Sequence, residues 1–260
     1  MTQLLPVWCI SLVPIAFLAL LAWAICTWRR NVGLIDIGWP LFLLSAGITD
    51  ALVGPTPGWA GRAQLAVLLL WSLRLAIHLA RRNWSAPEDR RYAAIRARNE
   101  PGFWWKSLFY VFLLQAVLAW IISLPLAAGA TAPAGSTLTL ALGVALALFG
   151  LAWEAIADAQ LTRFRLQRTT ADQVLDTGLW RYSRHPNYFG ECLVWWGLFL
   201  IAANPTSLWT VISPLLMTVL LLRISGVALL ERDIGQRRPG YQAYIARTSA
   251  FIPRPPRGPR

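Results

Sequence analysis

The chain has 260 residues, of which 57% are hydrophobic, 15 are Trp and only 14% are charged. Its 24 Lys and Arg against 12 Asp and Glu give a formal net charge of +12. A nucleic-acid binder is excluded, because the cations sit in short connections between apolar runs, and three cysteines with two histidines offer neither metal-ligand nor disulfide spacing.

Apolar runs of roughly 17–25 residues fit a bilayer-spanning helix. Seven are predicted, at about 6–28, 34–53, 63–80, 106–128, 137–160, 188–203 and 207–230. The expected fold is all-α: a polytopic membrane protein, a seven-transmembrane-helix bundle forming one integral membrane domain over 1–260. No basic segment precedes the first run, so a cleaved signal peptide is not expected. Arg29 and Arg30 follow the first span, and the connections 81–106, 161–187 and 231–260 are crowded with Arg. Arg62 alone falls on the other side, while 129–136 and 204–206 carry no charge. This alternation places the N-terminus outside and the C-terminus in the cytoplasm. The Pro-rich stretch 254–260 reads as a disordered end.

Carboxylates within apolar spans are costly and face a cavity or a partner. Asp36 opens the second span in Leu34-Ile35-Asp36-Ile37-Gly38-Trp39-Pro40. Two readings stand for it: a first-turn acid that favours the helix dipole, or a carboxyl in apolar surroundings able to donate a proton at neutral pH. The connection 81–106 reads as a solvated membrane-surface segment, although Asn83, Asp89, Arg91 and Tyr92 also suit a lid over a cofactor.

In the fifth span Glu154 and Asp158 lie four apart, on one helical face, with Arg163 and Arg165 one to two turns later. Glu191 and Glu231 complete the set, which either lines a polar vault or neutralises Arg74 and Arg223. The densest string is Gly178 to Glu191, GLWRYSRHPNYFGE, which brings Arg181, Tyr182, Arg184, His185, Asn187, Tyr188 and Glu191 to the threshold of an apolar helix. Paired arginines, a phenol, an amide and a carboxylate suit a ligand bearing phosphate and rings. A basic juxtamembrane anchor would need neither the Asn nor the Glu. Only one of the cations in the whole chain is Lys, and Arg is the better bidentate partner for phosphate.

The string around Asn187 and Glu191, the run Asp158 to Arg165, and Arg223 followed by Pro239-Gly240-Tyr241 and Phe251-Ile252-Pro253 together resemble the steroid 5α-reductase-like membrane proteins, including bacterial members of the DUF1295 type. The string is also similar to that of the sterol Δ14-reductases and, more loosely, of the isoprenylcysteine carboxyl methyltransferases. The resemblance covers roughly 150–253; Asp36, Arg74 and the pair Arg82-Asn83 extend it weakly toward the N-terminus. It implies NADPH as cofactor, held by helices of 129–253 in a pocket open to the cytoplasm, with helices of 1–128 on the substrate side.

The reaction so implied is reduction of the C=C bond of an enone lipid, such as a 3-oxo-Δ4 steroid, by hydride transfer inside a membrane cavity. Asp36 takes the place of the acid that holds the ketone oxygen, with Glu191 at the nicotinamide end, while the place of the family's tyrosine falls near Trp71. Cofactor contacts carry over to Arg82, Asn83, Glu154, Asp158, Arg165, Arg181, Tyr182, Arg184, His185, Asn187, Arg223 and Tyr241. No Gly-x-Gly-x-x-Gly follows a strand, so a Rossmann domain is not expected. The expected setting is a bacterial inner membrane, with the lipid bilayer and a hydrophobic substrate as partners, no nucleic acid, no metal and no obligate protein partner. An S-adenosylmethionine-dependent membrane methyltransferase and a non-enzymatic lipid-binding or transport protein are the alternatives.

Overall fold

In a hydrocarbon environment each backbone N–H and C=O must be satisfied within the protein, which for uninterrupted apolar runs means helices. The computed structural model describes residues 3–55, 57–131, 135–170, 172–224, 226–227, 231 and 240–257. These residues are helical or irregular, with no strand among them. The long helices are α1 (Leu4–Trp28), α2 (Ile35–Val53, entered through a 3₁₀ turn at Val32–Leu34), α3 (Trp59–Asn83), a broken helix over Phe103–Thr131, and α8 (Thr137–Gln167). Among the described residues these five are long and apolar enough to cross a membrane. The runs predicted at 188–203 and 207–230 correspond to shorter elements: α9 (Pro186–Ala202), then a 3₁₀ turn (Leu208–Val211), α10 (Ile212–Val219) and a wide π-helical turn at Leu220–Ile224. Much of the run 225–239 lies outside the described residues.

The broken helix consists of α5 (Phe103–Ser107), a wide π-helical turn at Leu108–Leu113, α6 (Leu114–Ile122) and α7 (Leu124–Thr131). Among the described residues there are also two short amphipathic helices: α4 (Arg90–Asn99), N-capped by Asp89, whose carboxylate accepts from the Arg91 N–H at 2.9 Å, and α11 (Gly240–Arg247). Val13, Phe17 and Leu20 of α1 are exposed, as a lipid-facing surface requires.

The chain divides into two compact units, one comprising 1–144 with 198–213, the other 145–197 with 214–260. In the first unit α1 packs on α2 and α6, and α2 on α3. Trp8 and Trp120 stack with ring centroids 3.8 Å apart. Each indole N–H donates to the other residue's carbonyl at 2.8 Å, so two polar groups meet without water. Gln64, buried on α3, donates to the carbonyls of Pro125 at 2.9 Å and Leu198 at 2.7 Å.

In the second unit α8 and α9 run past one another at glycines. A Cβ on Gly150 would lie 2.7 Å from the Gly190 carbonyl oxygen, and one on Gly190 would lie 2.6 Å from the Glu154 backbone nitrogen. Only hydrogen fits at such separations. The contact sets the register, with 150 opposite 194, 154 opposite 190, and 158 opposite 187. Gly190→Leu should therefore force the two backbones apart. We expect a loss of about 1–3 kcal/mol, the usual cost of overpacking, seen as a lowered melting temperature of the detergent-solubilised protein; an unchanged melt would refute the close crossing.

Candidate functional site

The first cluster forms where the connection 84–99 folds back onto the entry to α2. Asn31 caps the 3₁₀ turn by accepting from the Gly33 N–H at 3.0 Å and donates to the Ala86 carbonyl at 3.1 Å. Glu88 accepts from the Val32 N–H at 2.8 Å and binds Arg96 at 2.8 and 2.9 Å. Burial raises the Glu88 carboxyl, but these donors outweigh it and leave the group below its ordinary value. This strap delivers α4 to Asp36. The Arg91 guanidinium lies 3.2 Å from one carboxylate oxygen, and the Tyr92 hydroxyl donates to the other at 2.7 Å. Gln115, just after the first wide turn, donates to the Tyr92 oxygen at 3.2 Å. Burial and then the Asp36 charge raise the Tyr92 phenol well above the ordinary tyrosine range.

The phenol beside Asp36 is thus Tyr92. Trp71, nearest the expected tyrosine position, is fully buried in the core of α3. Arg82 and Asn83 belong to this unit, with the Arg82 guanidinium donating to the Asn83 amide oxygen at 2.8 Å. A further span carboxyl, Asp50, lies fully buried in the last turn of α2. Its signal was a lone acid near the end of an apolar run.

The second cluster belongs to the other unit. Glu154, Asp158, Arg184, His185, Glu191 and Tyr241 are buried. The Asn187 amide donates to Asp158 at 3.3 Å across the glycine crossing, and the register sets Glu191 level with Glu154. Arg184 grips Glu231 bidentately, at 2.7 Å through each of two nitrogens. Its remaining terminal nitrogen donates to the carbonyls of Ile245 and Thr248. The His185 ring nitrogen Nε2 lies 2.9 Å from the same Glu231, and the ring stacks on Tyr188. Arg184 therefore serves as a clamp. Arg165, Arg181, Tyr182 and Arg223 are exposed, and Tyr241 meets Tyr244 edge-on at 5.3 Å.

The C-terminal segment closes over this cluster. The Arg184 N–H donates to the Ser249 carbonyl at 2.9 Å, the Ser183 hydroxyl to Phe251 at 2.7 Å, and the Arg254 N–H to Tyr182 at 3.0 Å. Arg254 and Arg257, inside the stretch expected to be disordered, are each held by a backbone bond. Burial raises the Tyr244 phenol, whose hydroxyl donates to the Trp180 carbonyl.

Among the described residues, no three His, Cys, Asp or Glu are grouped as a metal site would need. The half-buried Asn187 amide beside Asp158 can both donate and accept, as a carboxamide or ribose hydroxyls would require, and the exposed arginines carry forks of the kind that hold phosphate.

The clamp generates a test. Burial pushes the Glu231 carboxyl up, but the bonds from Arg184 and His185 overcome this and hold it at about 2, against an ordinary 4.5. A carboxyl depressed by folding adds stability that is complete above its unfolded value and is lost as pH falls through the folded one. We expect Glu231→Ala to lose about 1.5–3 kcal/mol near neutrality, the usual worth of hydrogen bonds to a charged group in a part-buried pair. Wild type should also lose stability more steeply than the variant on acidification from about 4.5 toward 2. Denaturant titration in detergent at several pH values measures both, and parallel acid profiles would rule the clamp out as a stabilising element.

The DUF1295 family, described as a protein of unknown function, matches residues 22–248. The chain is also similar to an uncharacterized protein, C594.04c, of Schizosaccharomyces pombe, with 24% identity over 263 aligned positions covering 89% of this chain and 75% of the relative. No solved structure matches. With more than four-fifths of its length inside the family match, and with the helix-entry string and both acid clusters in it, the chain belongs to the DUF1295 family, which is steroid 5α-reductase-like.

Proposed function

We propose that this protein is an NADPH-dependent reductase of the C=C bond of enone lipids, with 3-oxo-Δ4 steroids as test substrates. The observation that carries the reading is the Tyr92 hydroxyl on Asp36 at 2.7 Å. An acid and a phenol, held together in a half-buried site, can meet a carbonyl oxygen as negative charge develops on it. NADPH, when bound, supplies the hydride that adds to the β-carbon of the enone.

The chain's own contribution is electrostatic. In the resting protein the phenol proton is committed to Asp36. Moving that hydrogen bond to the substrate carbonyl, with Asp36 still held by Arg91, puts a donor at the oxygen that becomes an enolate. Such a donor accelerates reaction because it binds the transition state more strongly than the ground state. A proton taken up from water at the α-carbon then converts the enolate to the saturated ketone, and the phenol keeps its own proton. Asn187, Asp158, Glu154 and Glu191 are assigned to the nicotinamide and ribose end, and Arg165, Arg181 and Arg223 to the phosphates. Arg184, His185, Tyr182 and Tyr241 shape that end, with Arg184 acting through Glu231. Arg82 and Asn83 are assigned to the cofactor as well.

The same reading holds that α9 and the segment Leu208–Ile224 add two crossings to the five long helices. Seven crossings put the Arg-rich connections and the cofactor pocket on the cytoplasmic side of a bacterial inner membrane, with the N-terminus outside. Each of the two is 17 residues long, or about 25 Å of helix, which suits a tilted or partly protein-enclosed span.

A thermal-shift titration of the detergent-solubilised protein with NADPH, NADH and S-adenosylmethionine tests the cofactor. A ligand of the folded state stabilises by about 2.7 kcal/mol at a hundredfold excess over its Kd. A shift with NADPH is expected; a shift with S-adenosylmethionine alone would favour a methyltransferase, and none at all a lipid-binding or transport role. Given turnover with a 3-oxo-Δ4 steroid, Tyr92→Phe should lower kcat by roughly 10²–10³, the usual effect of losing one oxyanion donor. Unchanged kcat would remove Tyr92 from the chemistry.

A further inference from the structure

The hydrogen bonds around Asp36 have a forced direction. Asp36 is paired with the Arg91 guanidinium at 3.2 Å, so its carboxylate accepts and does not donate. The Tyr92 hydroxyl, 2.7 Å away, must therefore spend its single proton on Asp36. The Gln115 group 3.2 Å from the same phenol oxygen must then be the amide nitrogen, donating. The orientation of Gln115 thus follows from the charge on Asp36, and the amide's two possible flips are not equivalent here.

Where Gln115 sits is equally specific. It is the second residue of α6, which reads Leu-Gln-Ala-Val-Leu-Ala-Trp-Ile-Ile. A primary amide in such a helix is costly unless it is bonded. The wide turn at Leu108–Leu113 immediately precedes it. A π-helical turn carries extra backbone per turn and so rotates everything that follows relative to a regular helix. Gln115 is the first polar side chain after that rotation.

We propose that Gln115 is a positioning residue for the reduction: it orients the Tyr92 phenol and supports the negative charge that gathers on the phenol oxygen as Tyr92 donates to a substrate carbonyl. The proposal rests on the enone-reductase reading. A donor aimed at a phenol oxygen favours its charged form over its neutral one. That preference is small in the resting protein and grows as the substrate oxygen draws the phenol proton toward itself, so its benefit falls on kcat rather than on binding. No bond at Gln115 forms or breaks.

The test separates this role from mere packing and from the reductase reading itself. A polyfluorinated tyrosine at position 92 of the full-length protein, whose ring fluorines bring the phenol's titration down into the range the protein withstands, reports that titration by ¹⁹F NMR with no substrate present. Gln115→Leu removes the donor, and Gln115→Met does so with a more adaptable side chain should the leucine variant not fold. The expected result is titration at higher pH, by up to about one unit for a lost neutral hydrogen bond. In turnover with NADPH and a 3-oxo-Δ4 steroid, kcat should fall about tenfold with KM unchanged. Gln115→Glu should recover activity as pH is lowered, since a protonated carboxyl can donate to the phenol where a carboxylate cannot. An unmoved titration in both apolar variants would overturn the proposal, whatever the activity. An upward shift in a protein that reduces no enone would support Gln115's hold on the phenol while sinking the reductase reading.

Discussion

A carboxylate placed where water is scarce must be met by donors from the protein itself, because an unpaired charge in an apolar medium is far costlier than any single packing defect. Most of the polar architecture follows from that constraint. Asp36 at the entry to α2 is met by Arg91 and Tyr92, and reaching it requires the whole connection 84–99 to fold back. The supporting bonds from Asn31, Glu88 and Arg96 hold the strap that brings those two side chains in. In the second unit Glu231 is met by Arg184 and His185, and here the C-terminal segment supplies the carbonyls that occupy the rest of the guanidinium.

Packing decides which side chains can reach these places. The Gly150–Gly190 crossing brings two backbones within a distance no Cβ tolerates, and this proximity lets short side chains such as Asn187 and Asp158 meet across it. Wide turns do the complementary work. One precedes Gln115 and the other, Leu220–Ile224, carries Arg223. A π-helical turn carries extra backbone per turn, so each shifts the face on which the following residues stand without ending the helical run.

The helical class and the clustering of polar residues at 178–191 could be read from the chain because they depend on local quantities: length of apolar run, spacing of four, and the cost of charge in a span. The pairing of Asn187 with Asp158 lies one step further, since a shared face on α8 and a nearby amide suggest it. Beyond that the sequence is silent. Nothing in the neighbourhood of Arg184 points to a glutamate 47 positions later, nor to carbonyls in the tail. Tyr92 was legible only as part of a lid, because the strap that folds it onto Asp36 is a tertiary event. Trp71 matched the expected tyrosine by position, yet its bulk belongs to the core of α3. The wide turns leave no compositional trace in Leu-Phe-Tyr-Val-Phe-Leu or Leu-Leu-Leu-Arg-Ile.

The abundance of Arg over Lys gains a physical meaning once the two clusters are seen together. A guanidinium presents several donors in a fixed fork and stays charged when partly buried, whereas an ammonium is a strongly hydrated point charge. Arg184 uses one edge of its fork for Glu231 and another nitrogen for tail carbonyls, and Arg91 divides its fork between Asp89 and Asp36. Neither arrangement could be reproduced by a lysine. Arginines in this chain therefore do two kinds of work with one chemistry. Those at Arg91, Arg96 and Arg184 hold carboxylates that define the fold around each cluster, while Arg165, Arg181 and Arg223 present the same fork at the surface. Losing an arginine of the first kind should disturb the shape of its cluster, because the carboxylate it holds would be left without its main donor.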